Sequence, residues 1–526
     1  MLKTRVMMIG LDGFELSFAE RLLAQGRLPA LRRLCQAGAI VQLDHGAAKR
    51  TGLAWEHVST GLSPKDARRW AAVDFDPLTY AVTQRPTALE PFAARLECRT
   101  IVFDPPYFDL TKAPDVNGLI SWGAHDPGVA QMARPDALLG EIEARFGAYP
   151  ARKWIYGFVW PSEDRAREMA DALVRAVDVR ADIAEWLFTD RLPDWDLCYL
   201  VISEYHSATE ALWHGVDRDH PLSGLPSARP ARAGIERVYE AADRMLGRLM
   251  DRFPEARFAM FNLHGMGAND SDVPSMALLP ELLYRCSFGK PFRCERVWPT
   301  TASGVPLITS GRGWNTEING GMPASTPQKV KSRLGRMLSG LLPPPAGGAR
   351  SLHWMPAERY RPFWPRMNAF ALPSYYDGRI RINLRGRERS GRVAPDAYDA
   401  VCEEITALLK DCRDPITGRS VIGEIDRVGR AAASLAPSEA DMIVVWDGAP
   451  LGFRHPTLGQ IGPLPYRRTG GHTGKTGIAY FFGPGIRPGE YGSRSAFDVL
   501  PTVIDLLGEK PGSYISGATM RHLIAA

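Results

Sequence analysis

The chain has 526 residues, with 64 Lys and Arg against 59 Asp and Glu and a formal net charge of +5. That length exceeds one average domain and suits a large α/β enzyme with an added cap, with enough core to fold without disulfides or a structural metal. The positive excess is small and dispersed, and no basic block is interleaved with aromatics, so a nucleic-acid polymer is not expected as partner.

The seven cysteines, from Cys35 to Cys412, are scattered and form no CxxC pair. Reduced core thiols in a cytoplasmic protein are the expectation. The first residues are too short for a signal-peptide core, and no stretch approaches 18 uninterrupted apolar residues, so no membrane span is expected. The oligomeric state is left open.

In chain order, residues 5–9 read as a buried strand ended by the turn Gly10-Leu11-Asp12-Gly13. Helical spacing follows over 15–24 and 29–37. Thr51 stands before Leu53-Ala54-Trp55-Glu56-His57-Val58, an apolar run stopped by Gly61, Ser63 and Pro64. This predicts a short helix with Thr51 near its N-terminus. Next come a helix over 164–188, a strand over 197–202, helices over 206–214 and 233–253, and a strand over 258–261 that ends at Asn262-Leu263-His264-Gly265. Such alternation argues for a mainly parallel sheet between helices.

From 270 to 375 the pattern breaks into Pro, Gly, Trp and Arg, with Pro343-Pro344-Pro345 beside Gly347-Gly348. Aromatics persist through it, which argues for an inserted cap or lid rather than a disordered linker. Strands are expected again at 379–384, 441–446 and 477–482, with helices at 398–409 and 499–507. The division read from the sequence is a catalytic core of 1–269 and 376–526, interrupted by a cap at 270–375.

Polar residues gather at strand ends: Asp12 after the first, His206 after the one near 200, His264 after the one near 260, and His472 ahead of the late one. Ligands of open α/β sheets bind at the carboxyl ends of strands, so distant loops can converge there. Asp, Glu and His bind divalent metals, and His206 and Glu210, four apart on a helix, can face one ion. Each alone also has a plain structural reading, as turn former, hydrogen-bonded histidine or solvated helix face.

Several of these segments together resemble the type I phosphodiesterase and nucleotide pyrophosphatase branch of the alkaline phosphatase superfamily. Val6-Met7-Met8-Ile9-Gly10-Leu11-Asp12-Gly13 is similar to its opening strand and first metal-binding Asp. Thr51-Gly52-Leu53-Ala54-Trp55-Glu56-His57-Val58 is similar to its nucleophile segment, and His264-Gly265-Met266-Gly267 to its metal-binding turn. Gly471-His472-Thr473, with Gly483-Pro484-Gly485-Ile486, is similar to the last metal histidine and the strand that follows. The resemblance runs from residue 5 to about 508 and is weakest in the cap. It implies a three-layer α/β sandwich, a covalent threonine intermediate at Thr51, and two metals. One would be held by Asp12, Thr51 and His264, the other by His206, Glu210 and His472. Zinc leads for sites rich in histidine, with manganese or iron behind it. A Thr hydroxyl needs such help, being a weak nucleophile at neutral pH.

Two departures stand out. The branch places Asp and His where this chain has His206 and Glu210, both competent ligands. It also places Asp where this chain has Leu263, which binds no metal. Asn262, Asp270 or Asp272 could supply the missing oxygen, the second metal could bind weakly, or one metal could suffice. The expected activity is hydrolysis of a small phosphate ester, a diester or nucleotide-like pyrophosphate, with sulfate esters the neighbouring class. A phospho- or sulfotransferase using the same nucleophile, and an inactive binding relative, are the alternatives. A formylglycine sulfatase is disfavoured by Thr at the nucleophile position. Arg385, Arg387 and Glu388 offer either an anion fork or a solvated strand, Trp122-Gly123-Ala124-His125-Asp126-Pro127 a possible pocket wall, and Asp498 a helix cap.

Overall fold

Val-Met-Met-Ile-Gly-Leu, buried at every position, forms the strand Val6–Leu11 (β1). A strand with no polar position must be covered on both faces, as in the parallel sheet of an α/β protein. Its sheet also contains Ala39–Asp44 (β2), Thr100–Phe103 (β3), Asn117–Ile120 (β4), Met132–Arg134 (β5), Leu197–Ile202 (β6), Arg257–Asn262 (β7), Gly477–Phe482 (β8) and Gly489–Ser495 (β9). The nine strands lie in the order β9-β2-β8-β7-β1-β6-β3-β4-β5. Neighbours from β7 to β4 are parallel. β5 closes that edge antiparallel; β8 runs antiparallel to both β7 and β2; β9 is parallel to β2.

Alternation along β1 serves two layers. Met7, Ile9 and Leu11 share a core with Leu173 and Val177 of the helix Glu163–Trp186 and Ile235 and Leu246 of the helix Ala228–Arg252. On the other face, Trp55 of the helix Ala54–Thr60 lies over Gly10, where a Cβ would come within 2.4 Å of the indole. The α/β class and the mainly parallel central sheet between helices, as read from the sequence, are both present.

This computed structural model describes residues 4–124, 129–156, 160–309, 311–323, 350–427 and 434–525. By internal contacts the chain forms two units: Met1–Trp70, Thr87–Asn269 and Arg468–Ala526 in one, and Ala71–Pro86 with Asp270–Arg467 in the other. The second unit has its own antiparallel sheet, in the order Ala369–Leu372, Gly378–Ile382, Met442–Trp446, Ile422–Arg427. The strands expected near 380 and 443 therefore pair with each other and not with β1 to β9. Pro343 to Gly348 and His125 to Pro127 lie outside the described residues. Among the described residues no helix is long and apolar enough to cross a membrane.

Candidate active site

All six residues singled out for chemistry belong to the first unit, and the sheet topology explains how they meet. Asp12 follows β1, His264 follows β7, and His206 sits in the helix Glu204–Leu212 that follows β6. β8 is antiparallel, with Ile478 opposite Asn262, so the segment before β8 arrives at the edge where β7 ends. His472 comes in on that segment.

Short-range devices tighten the convergence. Gly267 and Ala268 form a two-residue antiparallel ladder with Gly471 and Gly470, which sets the His264 turn beside His472. Gly470 packs so closely on the helix of His206 that a Cβ there would lie 2.1 Å from the Thr209 carbonyl oxygen, and Thr469 N–H donates to the Glu210 carbonyl. At the other end, Gly13 takes a φ of 77°, and a Cβ would strike the His206 backbone at 2.3 Å. Only glycine lets the Asp12 turn approach that helix.

The side chains form a chain of imidazoles. His206 Nε2 lies 3.2 Å from Glu210 Oε1 and 2.8 Å from His472 Nε2. His472 Nδ1 is 3.0 Å from His264 Nε2, and His264 Nδ1 is 3.4 Å from His45 Nδ1. His45 Nε2 is 3.2 Å from His57 Nδ1, and His57 Nε2 reaches Thr51 Oγ1 at 3.5 Å. His45 and His57 were not among the residues read as functional. The available signal was that His45 follows β2 as His264 follows β7, and that His57 lies six residues after Thr51 within the same segment.

Thr51 is buried and ends a 3-10 turn, Gly46–Thr51, three residues before the helix Ala54–Thr60 begins. Its hydroxyl donates to the Ala48 carbonyl at 2.8 Å and accepts from Leu53 N–H at 3.1 Å. Asp12 accepts from Trp55 Nε1 at 2.8 Å, which ties the β1 turn to the Thr51 segment. Burial pushes the Asp12 carboxyl upward, against the opposing pull of His206 and Trp55. Burial also drives His57 down to about 3 and His206 and His264 to about 4, and holds His45 well below its usual value. These four are neutral at neutral pH, the form that binds metals.

The ligand atoms of His206, Glu210 and His472 all lie within 4.8 Å of one another. Two imidazole nitrogens and a carboxylate oxygen are a donor set that suits a divalent ion. Among the described residues no second group of three His, Cys, Asp or Glu meets that spacing. Leu263 lines an apolar cavity with His45, His57, Phe261 and Phe497. Glu210 is also paired with Arg468, whose guanidinium is buried and pulled down to about 9 by that burial.

The other candidates resolve differently. Asn262 is committed to backbone, donating to the Phe14 and His264 carbonyls and accepting from Ile478 N–H. In the second unit Asp272 pairs with Arg467, and Arg387 binds Asp441 at 2.8 Å through both terminal nitrogens, in a buried cluster with Glu388 and Arg381. Arg387 is thus a structural ion partner and neither an open fork nor a solvated group. Asp498 stands at the start of the helix Val499–Leu506, but its carboxylate accepts from Ala518 N–H.

The sheet order, the helical layers and the cluster at the strand ends define an α/β protein with an alkaline-phosphatase-like fold. Among solved structures, the phosphonoacetate hydrolase of Sinorhizobium meliloti, in complex with phosphonoformate, matches 96% of this chain and 96% of its own at 14% identity, with a TM-score of 0.50. A murine ectonucleotide pyrophosphatase/phosphodiesterase 5 covers 99% of this chain and 100% of its own at 13% identity, with a TM-score of 0.47. No family model matches the sequence, and no curated protein does.

Proposed function

We propose that this chain is a metal-dependent hydrolase of small phosphate esters, diesters or nucleotide-like pyrophosphates first, with Thr51 as nucleophile. The observation that carries the reading is the cluster of buried His206 and Glu210 with half-buried His472, continued through His264 and His45 to His57 and Thr51. The hydrolase of like fold was solved with phosphonoformate, which supports a small phosphorus oxyanion as substrate class.

A divalent ion, zinc first and manganese or iron next, would be held by His206, Glu210 and His472 and would supply positive charge to the reacting oxygens. Asp12, His264 and Thr51 are the proposed remaining ligands. The Thr51 oxygen attacks phosphorus, the bond to the leaving oxygen breaks, and that oxygen departs with its electron pair and gains a proton. Water then cleaves the phosphothreonine and restores the hydroxyl. The Ala48 carbonyl and Leu53 N–H hold Oγ1 in place, and His57 is the imidazole nearest to it. The inserted segment 270–375 is proposed as a cap, and the seven free thiols suit the proposed cytoplasmic location.

The test is turnover of bis(p-nitrophenyl) phosphate by the purified chain with zinc, manganese or iron, beside Thr51→Ala. Metal-dependent turnover that Thr51→Ala abolishes supports the reading. Metal uptake with no turnover on any ester, with or without an added alcohol acceptor, would remove the hydrolase and leave a binding protein.

A further inference from the structure

Both ring nitrogens of His264, His45 and His57 are engaged in one file of contacts. His472 Nδ1 faces His264 Nε2 at 3.0 Å, His264 Nδ1 faces His45 Nδ1 at 3.4 Å, and His45 Nε2 faces His57 Nδ1 at 3.2 Å. At these links the ring centres stand 5.2, 5.5 and 5.3 Å apart. Each value is close to the nitrogen separation plus a radius from each ring, so the nitrogens point at one another and the faces do not stack. His45 and His57 are buried, beside Leu263, Phe261 and Phe497.

Elementary bonding rules fix which way these contacts run. A nitrogen-to-nitrogen hydrogen bond needs one N–H and one bare nitrogen, and a neutral imidazole carries one of each. At the Thr51 end, the Ala48 carbonyl can only accept, so it takes the hydroxyl proton at 2.8 Å. The lone pairs of Oγ1 then face Leu53 N–H at 3.1 Å and His57 Nε2 at 3.5 Å. A bare Nε2 would set lone pair against lone pair, so His57 carries its proton there and its Nδ1 accepts from His45 Nε2–H. Passed back along the file, the same rule puts the protons of His264 and His472 on Nδ1.

The far end agrees. His206 Nε2 lies 3.2 Å from the Glu210 carboxylate, which only accepts, and 2.8 Å from His472 Nε2. A proton on His206 Nε2 sits between two acceptors, which leaves His472 bare at Nε2 and protonated at Nδ1. An ion on His472 Nε2 or His264 Nε2 would take the lone pair there and leave each ring's proton on Nδ1 as before. A ring with a second proton would donate on both sides, with the direction toward Thr51 unchanged.

We propose that His57 is a further catalytic residue at Thr51, a hydrogen-bond donor to Oγ1 and not its base, with His45 and His264 as positioning residues that hold its tautomer. The inference rests on the reading of Thr51 as nucleophile. Leu53 N–H and His57 Nε2–H stabilise the charge on Oγ1 as it attacks phosphorus, and again as water displaces it from the phosphothreonine. They do so beside Leu263, which supplies no carboxylate for a second ion. His57 keeps its proton throughout. At 3.5 Å the contact is long for a neutral hydroxyl, and a charged oxygen draws such a donor closer.

Two measurements on the full chain test this. Two-bond 1H–15N correlation spectra of 15N-histidine protein, zinc-free and zinc-loaded, read the tautomers, with His57 and His264 assigned by signals lost in His57→Gln and His264→Gln. Nε2–H at His57 and Nδ1–H at His264 are expected in both forms. Turnover of bis(p-nitrophenyl) phosphate with zinc is then compared in His57→Phe and His57→Gln. The Phe variant, which has no donor, should lose kcat by about a hundredfold or more, the scale of removing one such donor, at similar KM and zinc content. The Gln variant, whose side-chain N–H can stand where Nε2–H stood, should lose about tenfold or less. Equal losses in the two variants (the result for a base), no loss in Phe, or Nδ1–H at His57 would overturn the proposal. Should the Phe variant not fold, the Gln rate and the wild-type tautomer decide. A wild type with no turnover at all removes the hydrolase reading and this catalytic role together, whereas Nδ1–H at His57 in an active enzyme removes the donor alone.

Discussion

Thr51 Oγ1 is held by two backbone groups, so removing it should cost chemistry before it costs structure. Thr51→Ala is expected to lower kcat by at least about a thousandfold, the scale of losing an activated nucleophile, while the ion proposed at His206, Glu210 and His472 is retained when metal content is read by plasma mass spectrometry. Leu263 is the complementary case. It faces His45 and His57 across an apolar cavity, where an added carboxylate would lack partners unless a cation joined it. Leu263→Asp should therefore melt lower than the wild type without metal, bind one more equivalent of zinc, and recover its melting point on loading. An unchanged stoichiometry would argue against a second site there. Arg468, paired with Glu210, must yield some of that carboxylate to an ion, so Arg468→Gln is expected to bind zinc several-fold more tightly in a competition titration with a chelator.

At the scale of elements, the site depends on a loop pressed against a helix. Gly470 touches the Thr209 carbonyl so closely that Gly470→Ala must push the 468–472 segment outward and carry His472 with it. Overpacking of this kind costs about 1–3 kcal/mol, and the variant should lose zinc retention as well as thermal stability. The same loop is held by two structural histidines. His220 accepts from Leu222 N–H at Nδ1 and lies 3.1 Å from the Thr469 carbonyl through Nε2, while His214 contacts Ser227 and Thr469. Burial lowers His214 to about 3 and His220 to about 4. Both stay neutral in the fold but take up protons in the unfolded chain below its value of about 6.5. Stability from this source is complete above that pH and falls as pH drops toward 4, because the unfolded state binds more protons. Melting curves should shift downward from pH 7 to pH 5, and less steeply in His214→Gln than in the wild type.

At the scale of the whole molecule, a bound ion stabilises the folded chain by mass action, about 4 kcal/mol at a thousand times its dissociation constant. Chelation should lower the melting temperature by several degrees, and zinc should restore it. A chain that melts identically with and without chelator would mean that His206, Glu210 and His472 hold no ion.

Much of this architecture was legible in the sequence. The strands β1, β6 and β8 and residues 258–261 of β7 are apolar runs because both faces are buried, and helical spacing located Pro29–Ala37 and Tyr398–Lys410 because each buries one stripe. Asp12, His206, His264 and His472 stand out in the sequence because each lies near such a run, and Glu210 because it follows His206 by one helical turn. Periodicity reports burial, however, and not partnership. It marked strands near 380 and 443 but not that they form a separate sheet, which is why the core boundary read at 376 and the unit boundary at Arg467 differ. His45 and His57 escaped for a similar reason: their place in the imidazole chain follows from β2 and β7 flanking the antiparallel β8. The apolar patterning of the sequence by itself determined which segments are buried and which polar residues stand at their ends. Only the tertiary structure decided which ends meet, because strand order and direction are set by pairings between residues hundreds of positions apart, which no local pattern encodes.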